Sequence, residues 1–118
     1  MKEIQIRETE GPGGIRTLHL EGPLTLQTLF DFQRAVRAHE PPALIISLAG
    51  VPYVDSAGLG AILGAYTSCQ GHGRGFALSN VPQRVFTLFR VAKVDTLLPQ
   101  FETVEAAEAE LAAKAEGA

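Results

Sequence analysis

The segment Ala43-Leu44-Ile45-Ile46-Ser47-Leu48-Ala49 constrains the fold more than any other part of the chain. It is an almost unbroken apolar run, closed by Pro41-Pro42 before it and Gly50 after it. Its length favours a strand over a helix, and its side chains are apolar at alternating and at adjacent positions alike. A strand of that kind is buried on both faces, which is typical of a sheet covered by helices.

The flanking sequence supplies such a sheet. Ile4, Ile6 and then Ile15, Leu18, Leu20 alternate with polar residues around Glu10-Gly11-Pro12-Gly13-Gly14, which predicts a hairpin. After a turn at Gly22-Pro23, apolar residues from Leu26 through Leu29, Phe32 and Val36 recur at helical spacing until Pro41-Pro42. Val51-Pro52-Tyr53-Val54 continues past a bend into a second helix, which runs to about Gln70 and stops at Gly71-His72-Gly73. Gly75 to Ser79 reads as a strand. Asn80 as cap and Pro82 in the first turn introduce a helix with Val85, Leu88 and Phe89 on its apolar side. Leu97, Leu98 and Phe101 form a short extended stretch broken by Pro99, and Thr103 caps a mostly exposed Ala/Glu-rich helix to Lys114. The expected class is α/β: one domain over 1–118, with a mixed central sheet after an N-terminal hairpin and about four helices.

Composition narrows the function. The net charge of −3 and the lack of any Lys/Arg cluster argue against a nucleic-acid partner. Cys69 is the only cysteine, so no internal disulfide or Cys-rich metal site forms, and His19, His39 and His72 lack ligand spacing. No cofactor is implied. No apolar run approaches the ~20 residues of a membrane span, and Met1–Arg7 alternates like a strand rather than a signal peptide. The expectation is a cytoplasmic protein without membrane insertion.

The helix after Asp55 has an unusual composition. Leu59, Ile62, Leu63 and Tyr66 fall on one face, and Ala61, Gly64 and Ser68 on the opposite one, with Ala57 and Gly60 beside them. A glycine inside a helix costs roughly 1 kcal/mol relative to alanine. Gly60 and Gly64 therefore imply close approach, either by another part of the domain or by a partner. Ser56 begins this helix. As a cap, its hydroxyl would satisfy an orphan amide of the first turn. As a modification site, a phosphate there would meet free N–H groups and the positive end of the helix dipole.

Leu48-Ala49-Gly50-Val51-Pro52-Tyr53-Val54-Asp55-Ser56-Ala57-Gly58-Leu59-Gly60 resembles the signature of STAS domains. More narrowly it resembles that of the bacterial anti-sigma factor antagonists, and the likeness extends over essentially the whole chain. The resemblance implies a mixed sheet backed by helices on one side and a binding role without catalysis. Its implied partner is an anti-sigma factor that is also a serine kinase; sequestering it frees a sigma factor. The resemblance implies phosphorylation of Ser56 by that kinase, with release of the partner, and reversal by a PP2C-type phosphatase. The expected partner-binding surface lies on the loops at the Ser56 end of the sheet and on the bare helix face: Leu24, Thr25, Asp55, Ser56, Ala57, Gly58, Gly60, Ala61 and Gly64. Two departures stand out: Gly22-Pro23-Leu24-Thr25 has Thr where the family often has Asp, and Ala92-Lys93 replaces a common Gly-Leu turn.

Enzymatic readings fare worse. A nucleophile elbow needs glycine two residues before the serine, and Val54 stands there. Gly71-His72-Gly73-Arg74-Gly75 follows a helix and leads to a strand, the reverse of a phosphate-binding loop. The stronger alternative keeps the fold and changes the role: an unphosphorylated scaffold or regulatory subunit in a stress-signalling or transport complex.

Overall fold

The apolar run becomes strand β3 (Ala43–Gly50), the middle strand of the sheet in a computed structural model that describes residues 3–117. The other strands are β1 (Gln5–Glu10), β2 (Arg16–Glu21), β4 (Gly75–Ser79) and β5 (Gln100–Phe101), in spatial order β1-β2-β3-β4-β5. The β1–β2 hairpin is antiparallel, closed by a 3-10 turn at Pro12–Gly14, and the remaining pairings are parallel. The sheet is therefore mixed. Four helices connect or flank it: α1 (Leu29–Arg37), α2 (Ser56–Gly71), α3 (Gln83–Val91) and α4 (Val104–Gly117).

Both faces of β3 are covered. Leu44, Ile46 and Leu48 point into the larger core with Leu18, Leu20, Phe76 and Leu78, under Phe32 of α1, Ile62 of α2 and Val85 and Phe89 of α3. Ile45 faces the other way, into a smaller core with Ile15, Ala43 and Ala77 under Ala107 and Leu111 of α4. The helices thus lie on both sides of the sheet, three against one, rather than on one side as the family resemblance implied. Helix α4 is mostly exposed, as its composition predicts, but Ala107 is fully buried. A stripe that narrow is enough to close the second face, because small residues let the helix sit close to the strands.

Two boundaries differ from the sequence reading. Helix α1 starts at Leu29 rather than Leu26, because a hydrogen-bonded turn occupies the residues before it. Thr25 N–H donates to Thr28 Oγ1 (2.9 Å) and Gln27 N–H to Thr25 Oγ1 (3.2 Å). Asn80 does not cap α3: it takes a left-handed backbone with φ of 54°, and Pro82 occupies the cap position. After α3, Lys93 also takes positive φ, 63°, a conformation that glycine adopts without strain. Its N–H donates to Arg90 O (3.0 Å) and that of Val94 to Phe89 O (2.9 Å), a terminal pattern that normally favours glycine.

Ile46 has no solvent exposure and sits among Leu18, Leu78 and Ile62. Ile46→Asp would bury a carboxylate with no partner, at a cost of several kcal/mol. Thermal unfolding should show little or no cooperative transition for this variant; a melt matching the parent's would refute the two-sided burial of β3.

Candidate functional site

The site is built where β3 ends and α2 begins. Past Gly50 the chain bends through Val51-Pro52-Tyr53, and Val54 forms a parallel bridge to Leu24. Leu24 N–H donates to Tyr53 O (3.2 Å) and Asp55 N–H to Leu24 O (3.3 Å), so the two segments run side by side. Their approach is close. A Cβ on Gly58 would collide with the carbonyl oxygen of Leu24, so glycine is required there on steric grounds.

Asp55, not Ser56, caps α2. Its Oδ1 accepts from Gly58 N–H at 2.8 Å. Its Oδ2 accepts from Leu26 N–H at 3.1 Å, a contact across 29 positions of sequence. One carboxylate therefore stabilises the helix start and pins the loop before α1 to it. Ser56 is relieved of capping: it is the first residue of α2, it is exposed, and its hydroxyl makes no hydrogen bond among the described residues. The amides of Ser56 and Ala57 are likewise without an intrahelical partner, as the first amides of any helix must be. An exposed hydroxyl beside free donors and a positive helix end is a chemically reasonable phosphate acceptor position.

The expected binding residues divide into two groups. Asp55 and Ala57 are half-buried, and Ser56, Gly60 and Gly64 are exposed. Leu24, Thr25, Gly58 and Ala61 are buried. Leu24 and Gly58 make the close contact just described. Thr25 forms the turn into α1, its carbonyl accepting from Leu29 N–H at 2.8 Å. Ala61 faces α1 and, with Phe32, Val36, Gly64 and Ser68, lines a groove of about 220 Å³ between the helices. Ala61 thus belongs to the helix–helix contact rather than to a bare face. The buried stripe of α2 is Leu59, Ile62, Ala65 and Cys69, with Leu63 and Tyr66 at its margin. A Cβ added to Gly60 or Gly64 would meet nothing within 4 Å, so intradomain packing does not explain these two glycines.

Periodicity missed three residues here. Leu26 and Phe30, each 64% exposed, and Tyr53, 48% exposed, lie on the two segments that Asp55 joins. Their combined apolar surface borders a polar serine, a combination suited to a protein partner. The signal available was Phe30, an aromatic off the apolar face of its helix.

Other chemistry is lacking at this end. The described residues contain no group of three His, Cys, Asp or Glu side chains placed to hold a metal ion. Cys69 is buried, and burial pushes its thiol above the usual range despite the opposing charge of Arg74, so it is a packed side chain and not a nucleophile. Among the described residues no helix is long and apolar enough to cross a membrane.

The sequence model of the STAS domain matches residues 6–107, and the chain belongs to that family. No curated protein matches it in sequence. Solved structures share its fold at low identity. An anti-sigma factor antagonist from Mycobacterium paratuberculosis superposes with a TM-score of 0.82 at 22% identity, over 92% of this chain and 93% of its own. An anti-sigma-factor antagonist (STAS) domain protein from Planctomyces limnophilus gives 0.75 at 21% identity, covering 91% and 97%. A sulfate transporter family protein from Wolinella succinogenes gives 0.72 at 20%, covering 92% of each.

Gly58, Gly60 and Gly64 of α2 should respond differently to alanine. Gly60→Ala and Gly64→Ala fill open space and gain helix propensity, so each should stabilise the domain by roughly 0.5–1 kcal/mol. Gly58→Ala should destabilise it, since the Leu24 carbonyl must move. Denaturant melts of the three variants check this, and a destabilised Gly64→Ala would mean the open face is packed after all.

Proposed function

We propose that this protein is an anti-sigma factor antagonist: a non-catalytic binding module that sequesters an anti-sigma factor with serine kinase activity and thereby frees a sigma factor. Its switch is phosphorylation of Ser56, and a PP2C-type phosphatase resets it. The observation that carries the reading is the exposed Ser56 hydroxyl, which Asp55 leaves free by taking over the cap. The STAS signature around it and the fold shared with anti-sigma factor antagonists support it.

The physical logic of the switch is local. The docking surface on this reading is Ser56, Ala57, Gly60 and Gly64, bordered by Leu26, Phe30 and Tyr53. Small residues let a partner approach the helix backbone, and burial of the flanking apolar side chains supplies roughly 1.5–3 kcal/mol each. A phosphate adds about 1.5 to 2 negative charges and three acceptor oxygens at the centre of that surface. The helix tolerates the charge, because it lies at the positive end of the dipole. The partner does not: its apolar contacts would have to bury an unpaired dianion. Phosphorylation therefore alters binding without unfolding the domain.

A second reading, a scaffold or regulatory subunit without phosphorylation, draws on Thr25. Where the family often carries Asp, this chain has a buried hydroxyl committed to the turn into α1. The fold shared with a sulfate transporter family protein is compatible with it.

Calorimetric titration of a kinase-type anti-sigma factor against four species separates the readings. Ser56→Ala should stay folded, bind like the parent and accept no phosphate, since the serine is not the cap. Ser56→Asp should bind more weakly, and the enzymatically phosphorylated protein weakest, because one carboxylate imitates a phosphate incompletely. Mass spectrometry locates the phosphate. Equal affinity for all four species would favour the scaffold, and phosphate on Thr67 or Ser68 would displace the site.

A further inference from the structure

A row of polar side chains crosses the sheet face opposite α1–α3. Arg7 of β1 pairs in register with His19 of β2, His19 with Ser47 of β3, and Ser47 with Ser79 of β4. Residues directly paired across strands share a face, with neighbouring strands about 4.8 Å apart. Helix α4 covers this face over Ile15, Ile45 and Ala77 but leaves the β1–β3 part open. There a basin of about 310 Å³ remains, with Arg7, His19, Ser47 and Glu21 among its walls.

Its polar groups are conspicuously underused. Ser47 is only 4% exposed, and its hydroxyl, which makes no hydrogen bond among the described residues, is reached by solvent through the basin. Outside the basin, on the same face, Ser79 Oγ and Thr17 Oγ1 are fully buried without partners among the described residues. Arg7 is exposed and forms no ion pair among the described residues, whereas Glu8, on the other face, takes both Arg16 and His39. His19 is held through Nε2 by Thr9 Oγ1 at 2.9 Å, leaving Nδ1 unengaged.

We infer that this basin binds a small oxyanion, the carboxylate or phosphate group of a compact metabolite, with Arg7 as counter-charge and the Ser47 hydroxyl as donor. The guanidinium fork suits either group, and the nearly buried hydroxyl gives the anion a hydrogen bond shielded from water. Glu21, exposed in the lining, opposes the anion, so Arg7 has to supply the net attraction. Burial and the nearby Arg7 hold the His19 imidazole below its ordinary range, with Glu105 of α4 opposing them. Those causes favour the neutral ring, and a bound anion would favour its protonated form. The basin and Ser56 serve opposite faces of the sheet, so this inference stands apart from the phosphorylation reading.

NMR titration of the full chain with sodium phosphate and with sodium acetate, against sodium chloride at matched ionic strength, tests it. Saturable shifts should appear at Arg7, His19 and Ser47, and the His19 titration midpoint should rise. The salt that binds more tightly identifies the ligand as phosphate or carboxylate. Arg7→Gln and Ser47→Ala, confirmed folded from the same spectra, should each weaken binding by about tenfold. No saturable shift in either salt overturns the proposal, as does binding that survives either substitution unchanged.

Discussion

The burial of β3 between two helical layers organises everything else in the molecule. Leu44, Ile46 and Leu48 on one face and Ile45 on the other each contribute roughly 1.5–3 kcal/mol when taken from water. That gain is available only if both faces are covered. The parallel pairing of β3 with β2 and β4 places connecting helices over the sheet, and α4 returns to close the second face. The end of β3 is thereby held in place, and the site at the start of α2 inherits its position from the strand that leads into it.

From that rigid end, Asp55 sets the local geometry. A single carboxylate accepts from Gly58 within its own helix and from Leu26 in a distant loop. The close approach of Gly58 to the Leu24 carbonyl makes this bridge possible, because a side chain there would push the loop away. The consequence is a division of labour between adjacent residues. Asp55 performs the structural task that an N-terminal serine often performs, and Ser56 is left exposed with an uncommitted hydroxyl. On the proposed reading, a phosphate there would add charge where the helix tolerates it and where an incoming protein surface would not.

The glycines of α2 show how similar residues serve different ends. Gly58 is a steric necessity of the fold. Gly60 and Gly64 face open space and sacrifice helix stability with no return inside the domain. On the proposed reading, a partner that comes close to the helix backbone would account for them. The exposed Leu26, Phe30 and Tyr53 extend that surface beyond the helix itself. The alanine beside them, Ala61, belongs to the packing of α1 on α2.

Much of this was legible in the amino-acid order. The apolar run of β3, the hairpin, the four helical segments and the Asp-Ser step all follow from local periodicity, turn chemistry and a family signature, because each is encoded within a dozen or so adjacent residues. The STAS family itself was readable from the stretch Leu48–Gly60. What tertiary structure decided were relations between distant segments. Ala107 and Leu111 become a lid on the sheet only because β5 delivers α4 to the free face. Ala61 is buried only because α1 lies beside it, although helical periodicity alone put it on the face opposite the core. Asp55, rather than Ser56, becomes the cap with a second partner because folding brings Leu26 within 3.1 Å of it. Periodicity reports which side of an element is apolar. It does not report which neighbour will cover that side, since the contact depends on where the rest of the chain comes to lie.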